Sequence, residues 1–146
     1  MGKSVLFAGH REDWRNTGVE DKLYRAIEEL ISNDCDIFYT GTCGYFDAMC
    51  EKVVRQLKSK YPFIKLIRVD YQYSAREEEQ IYDEKYVFEF ENIYYKRRIT
   101  ERNKYIVDKC DILLCNIYQS YKSGAYSTYL YALKSGKIII NLHDNQ

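Results

Sequence analysis

Hydrophobic positions along this chain fall into two alternating rhythms. Residues 4–9, Ser4-Val5-Leu6-Phe7-Ala8-Gly9, form a continuous apolar run closed by a glycine and followed by His10 and Arg11. Such a run reads as a strand buried on both faces, and so as part of a parallel sheet covered by helices. Val19, Leu23, Ile27, Leu30 and Ile31 then recur at helical spacing, and Asn33-Asp34 ends that helix. Residues 36–40 return to a strand pattern and lead into Gly41-Thr42-Cys43-Gly44. A second helical stripe follows at Phe46, Met49, Cys50, Val53, Val54 and Leu57, with basic residues in the later turns, where the helix dipole favours them. Pro62 closes the connection, and residues 63–69 form a third strand. A β-α-β-α-β order of this kind requires parallel strands and right-handed crossovers.

Residues 71–98 break the rhythm. Glu77-Glu78-Glu79 reads as a solvated helix face, and residues 86–90 alternate like a short or edge strand. Residues 91–99 read as a variable surface connection that, alternatively, lies over the strand ends as a lid. Regular order returns at Thr100, the expected N-cap of a helix running to Lys109 with Ile106, Val107 and Cys110 inward. A buried strand over 111–116, a loop over 118–124 and a helix with Tyr126, Tyr129, Leu130 and Leu133 on its inner face come next. Gly136 stands where a helix C-terminal glycine belongs, and 137–142 is the last strand. The expectation is an α/β fold in one domain over residues 1–146, a three-layer Rossmann-like arrangement. Its mostly parallel central sheet has five to six strands flanked by helices.

Charge narrows the function. The 22 basic and 22 acidic side chains cancel, which argues against sequence-independent nucleic-acid binding and leaves only Lys96-Arg97-Arg98, beside Tyr94 and Tyr95, as a local contact. No apolar run approaches the ~20 residues of a membrane span, and no signal peptide is expected. Five cysteines without a Cys-x-x-Cys spacing, and two histidines, give no zinc signature; they read as free thiols of a reducing cytoplasm. Sixteen tyrosines are read first as amphipathic packing under a sparse aliphatic core, and second as stacking platforms for a planar ligand.

Candidate chemistry gathers where strands end. Glycine-containing turns fall at Gly9, at Gly41 and Gly44, and at Gly124, each at a strand end or a helix start. Backbone N–H groups at helix amino ends favour anions. Arg11, Arg102 and the hydroxyls of Thr42, Ser123, Ser127 and Thr128 accompany them, which points to a phosphate- or nucleotide-like ligand rather than ordinary tight turns. Trp14 either covers a bound ring or folds back onto the core. Cys43 lies near a helix start that would lower a thiol pKa, with only His10 as a histidine partner. The chain has no Gly-x-Gly-x-x-Gly and no Gly-Lys-Ser/Thr loop, so no dinucleotide or triphosphate cofactor is expected.

Four segments in order, Phe7-Ala8-Gly9-His10-Arg11, Gly41-Thr42-Cys43-Gly44-Tyr45-Phe46-Asp47, Arg102-Asn103-Lys104-Tyr105-Ile106-Val107-Asp108 and Ser123-Gly124-Ala125-Tyr126-Ser127-Thr128, resemble the SLOG superfamily and its YpsA-like branch. The resemblance implies a Rossmann-like domain binding a nucleotide-derived small molecule as a sensor, sequestering protein or regulator. It also implies that Gly9, His10 and Arg11 line a first ligand turn and Gly41, Thr42 and Gly44 a second. Asp47 would either bond a ribose hydroxyl or cap its own helix. Arg102 would reach the phosphate, or else pair with a carboxylate; Asn103 would fix the neighbouring loop. Ser123, Gly124, Ser127 and Thr128 would close the site. Pairing into a homodimer follows by analogy only. The LOG phosphoribohydrolases and the nucleoside deoxyribosyltransferases carry a glutamate near the last of these turns, where this chain has Ser-Gly-Ala-Tyr-Ser-Thr. N-glycosidic cleavage or transfer is therefore the alternative to binding, and DprA-like binding of single-stranded nucleic acid is a further one.

Overall fold

The apolar run at the head of the chain forms β1 (Lys3–Gly9), and its alternation divides the molecule into two cores. Val5 and Phe7 pack into one and Leu6 and Ala8 into the other. The computed structural model describes residues 2–10, 18–41, 44–70, 82–87, 97–118 and 123–144. Around β1 lie β2 (Cys35–Thr40), β3 (Lys65–Asp70), β4 (Glu84–Val87), β5 (Ile112–Asn116) and β6 (Ile138–Asn141). They form a six-stranded sheet in the order β4-β3-β2-β1-β5-β6, with each neighbouring pair parallel. The helices α1 (Glu20–Ser32) and α2 (Tyr45–Lys58) cover the Val5–Phe7 face, while α3 (Arg98–Lys109) and α4 (Gly124–Lys134) cover the other. The result is the three-layer Rossmann-like arrangement that the hydrophobic pattern predicts.

The two long stripes are buried as expected. Leu23, Ile27, Leu30 and Ile31 on α1, and Phe46, Met49, Cys50, Val53, Val54 and Leu57 on α2, meet Phe7, Phe38 and Leu114 of the sheet. Phe7 and Phe38 stack across neighbouring strands at 5.9 Å. After α4, Gly136 adopts φ +75°, the left-handed conformation that favours glycine.

Several boundaries and one helix face differ from the sequence expectation. β3 starts at Lys65 because Phe63 stands 60% exposed in the preceding turn. α3 starts at Arg98, with Arg97 in the N-cap position, so Thr100 lies in the first turn and does not cap it. β6 is confined to Ile138–Asn141, and a 3-10 turn, Leu142–Asp144, follows. On α4 the sheet-facing line is Ala125, Thr128 and Ala132. Small side chains there leave Leu130 and Leu133 pointing away, 44% and 55% exposed, while Tyr126 and Tyr129 pack against the core edge. Residues 71–81 and 88–96 lie outside the described residues, and with them the Glu77-Glu78-Glu79 run, the lid reading and the Tyr94-Tyr95-Lys96 patch.

β4 begins earlier than its alternation suggests because Asp83 sets its register. The Asp83 N–H donates to Leu66 O at 2.8 Å, and its carboxylate accepts the Leu66 N–H at 2.8 Å. Lys58 of α2 donates to the same carboxylate. Nearby, Glu51 of α2 is 4% exposed and accepts from Thr40 Oγ1 at 2.7 Å and Tyr82 OH at 2.8 Å, tying the end of β2 and the segment before β4 to one helix. A buried carboxylate without such donors would be costly.

Burial alone would raise the Asp83 carboxyl, but the Lys58 ammonium and the Leu66 N–H outweigh it and hold the group below its ordinary value. A depressed folded-state value gives stability that is present above the unfolded pKa and lost as pH falls through the folded one. Asp83→Asn is therefore expected to be less stable than the parent chain in urea at pH 7. The two should converge as the pH drops below the ordinary carboxylate range; a pH-independent gap would remove Lys58–Asp83 as its source.

Candidate functional site

β1 sits at the point where strand order reverses, with β2 on one side and β5 on the other. A crevice is expected outside the carboxyl ends of the strands at such a point. A cavity of about 300 Å³ lies there. Its wall is built from the end of β1 with His10, from Gly41 after β2, from Asp47 in the first turn of α2, from Ile99, Arg102 and Asn103 on α3, and from Ser123, Gly124, Ala125 and Thr128 at the start of α4.

Arg102 is 1% exposed, and its guanidinium is held by the strand ends. Nη1 donates to Gly41 O at 3.1 Å and Val69 O at 3.2 Å, so one side chain from α3 joins the ends of β2 and β3. Nε and Nη2 both donate to Asn103 Oδ1, at 3.1 and 3.0 Å. Among the described residues its partners are carbonyl oxygens, and no carboxylate takes the salt-bridge role. Gly41 is a glycine for this reason: a Cβ there would stand 2.7 Å from Nη2 and 2.9 Å from Cζ. Gly9 meets a similar demand, since a Cβ there would fall 2.2 Å from the Phe46 ring.

His10, also 1% exposed, joins β1 to the far side of the cavity. The Tyr118 N–H donates to His10 Nε2 at 3.0 Å, and His10 Nδ1 lies 3.2 Å from Ser123 Oγ. A ring nitrogen that accepts a backbone N–H carries no proton, so this geometry assigns the neutral tautomer with the proton on Nδ1, donated to Ser123. Ser123 Oγ in turn accepts the Tyr126 N–H and caps α4, the helix start where the sequence shows Ser-Gly. Behind this chain Asn141 brackets Ile117, accepting its N–H at 3.0 Å and donating to its carbonyl at 3.1 Å. Tyr118 is also tilted against His143 at 4.0 Å between ring centres.

The cavity is electrically asymmetric. In α4, Tyr126 N–H is used by the cap, while the Gly124 and Ala125 N–H groups have no partner within the helix. They carry the positive end of its dipole to the cavity wall. In the same lining Asp47, 8% exposed in the first turn of α2, is the carboxylate among the described residues. It sits at the third position of a helix whose N-cap is Gly44, held at φ 137°, which a side chain rarely adopts. The described lining therefore holds both N–H donors suited to an anion and a carboxylate suited to a hydroxyl or amine.

Of the residues expected at the site, Gly9, His10, Gly41, Asp47, Arg102, Asn103, Ser123, Gly124 and Thr128 line this one cavity. Ser127 lines an adjoining groove of about 130 Å³ between α3 and α4. Gly44 caps α2 behind Asp47, and Arg11, Thr42, Trp14 and Cys43 lie outside the described residues. The expectation did not include Lys104, Thr100 and Tyr131, which line the groove. Helical spacing carried the signal, since Thr100, Asn103, Lys104 and Val107 follow i, i+3, i+4, i+7. The cysteines 35, 50, 110 and 115 are buried away from this chemistry; burial pushes the Cys110 thiol up to about 11 and the Cys50 thiol well above its ordinary value. Among the described residues no cluster of metal-ligating side chains occurs, and no helix is long and apolar enough to cross a membrane.

No protein-family model matches the sequence, and no curated protein matches it significantly. Solved structures do share the fold. TM1055, a structural genomics target, superposes with a TM-score of 0.64 at 11% identity over 94% of this chain and 72% of its own. The molybdenum cofactor carrier protein of Chlamydomonas reinhardtii superposes with a TM-score of 0.58 at 13% identity over 95% of this chain and 75% of its own. A second structure of that carrier protein gives 0.59 at 14% identity.

The Arg102 clamp has a direct test. Removing the guanidinium deletes its hydrogen bonds to the Gly41 and Val69 carbonyls, a loss of about 3 kcal/mol for Arg102→Gln in urea unfolding. Gly41→Ala destabilises through the same contact, so the double variant should cost clearly less than the sum. Additive losses would mean that the two residues act separately.

Proposed function

We propose that this chain is a SLOG-type binding protein that holds a nucleotide-derived small molecule in the cavity at the carboxyl edge of its sheet, in a sensing, sequestering or regulatory role. The observation that carries this reading is the meeting, in one space of about 300 Å³, of the Gly124 and Ala125 N–H groups with the Asp47 carboxylate. A phosphate is served by the helix start, and a sugar diol or an exocyclic amine by Asp47. The volume lies at the lower end of small-ligand sites, which suits a mononucleotide-sized group. That a neighbour in fold is a carrier of the molybdenum cofactor, itself a small molecule held by a protein, supports holding over transforming.

Asp47 favours one other reading. A carboxylate lining a nucleotide-sized cavity is what N-glycosidic cleavage needs, as base or electrostatic partner. The α4 start offers Ser123, Ser127 and Thr128 hydroxyls in place of the family glutamate. Free base released on incubation with a nucleotide, and lost in Asp47→Asn, would favour catalysis over binding.

Gly124 gives a probe of the cavity that spares the fold. An added Cβ there meets nothing within 4 Å, so a larger side chain extends into open space at the site. Thermal melting with adenosine and guanosine monophosphates and ADP-ribose is expected to show at least one ligand stabilising the parent chain, by about 2.7 kcal/mol at a hundredfold excess over Kd. Gly124→Leu should fold as before and lose that response. A ligand response that survives Gly124→Leu would move binding elsewhere, and no response from the parent chain would sink the nucleotide reading.

A further inference from the structure

The groove between α3 and α4 opens from the main cavity, sharing Ile99, Asn103, Gly124 and Thr128 with it. Its remaining wall differs in character. Lys104 supplies an ammonium, with the hydroxyls of Thr100 and Ser127 beside it. The ammonium stands over the Tyr131 ring at 5.6 Å from its centre, and the Tyr131 hydroxyl donates to Asp108 at 2.9 Å, which fixes the ring. Among the described residues no carboxylate pairs with Lys104, and none lines the groove. The Ser127 hydroxyl donates to Ser123 O at 3.3 Å, and Asp108 is engaged by the Tyr131 hydroxyl, so the Lys104 ammonium is the charged group in the described wall of the groove, where it can receive an anion.

We infer that this groove is a second subsite, taking the terminal phosphate of a nucleoside-diphosphate-type ligand whose first phosphate lies at the start of α4. The inference rests on the nucleotide reading of the main cavity and specifies its ligand. The linings give the joined space an order: Asp47 belongs to the main cavity, Gly124 to both spaces, and Lys104 to the groove. A molecule with its hydroxyl- or amine-bearing end inward therefore extends its charge outward past Gly124 toward Lys104. A volume of about 130 Å³ accommodates a phosphate and not a second nucleoside.

Titration calorimetry with AMP, ADP, GMP and GDP tests this on the parent chain and on Lys104→Gln, which keeps the stem over Tyr131 and removes the charge. The diphosphate of the preferred base is expected to bind the parent about tenfold tighter than its monophosphate. Lys104→Gln should bring the diphosphate down to the monophosphate's affinity, with the melting temperature of the free protein confirming an intact fold. Lys52→Gln, on the exposed side of α2, should keep the preference. Equal affinities in the parent chain, or a preference that persists in Lys104→Gln, would overturn the second subsite while leaving the main cavity as a nucleotide site. Binding of neither class would overturn both.

Discussion

A buried guanidinium decides the shape of the carboxyl edge. Arg102 enters from α3 and gives its hydrogen bonds to the carbonyls of Gly41 and Val69 and the amide oxygen of Asn103. Arginine does this where lysine would not, because a rigid planar fork reaches acceptors on two strands at once. The glycine at 41 is its counterpart, since any side chain there would meet the fork. The sequence resemblance gives Arg102 a ligand phosphate. Its hydrogen bonds to described residues hold the protein itself, and the backbone N–H groups at the start of α4 line the same cavity.

The opposite wall obeys the same economy of polar groups. His10, Ser123, Tyr118 and Asn141 form a line of hydrogen bonds from β1 through the β5 extension to β6, and it also caps α4. His10 is a spacer with a fixed tautomer in this line. Its Nε2 accepts from the backbone, which removes it as a base toward the cavity. Ser123, which accepts from both His10 and Tyr126, keeps its own proton to donate. Among the described lining residues the carboxylate is that of Asp47, beside the hydroxyls of Ser123 and Thr128.

Much of this was legible in the hydrophobic pattern, and the parts that were not have physical reasons. The stripes of α1 and α2 are long and made of large aliphatic residues, so spacing alone identifies them and their inner faces. α4 misled because its largest apolar residues, Leu130 and Leu133, are the ones turned outward, while Ala125, Thr128 and Ala132 face the sheet. Hydrophobicity ranks leucine above alanine and says nothing about how little room lies under a helix. The α3 boundary shifted because Thr100 is an excellent cap in isolation, yet the helix starts a turn earlier without a side-chain cap. The glycine turns were found by composition, but the contact that requires Gly41 joins residues 61 apart in sequence, and no local pattern encodes it.

Amide shifts mapped by NMR as AMP is added give the most direct test, because the fold offers a further concave surface for comparison. That surface, of about 380 Å³, lies between α1 and β6 and is lined by Lys22, Arg25 and Leu142 among others. The amides of Gly9, His10, Gly41, Asp47, Gly124 and Ala125 are expected to move while those of Lys22, Arg25 and Leu142 stay still. Shifts concentrated at the α1–β6 surface, with the carboxyl edge silent, would contradict it.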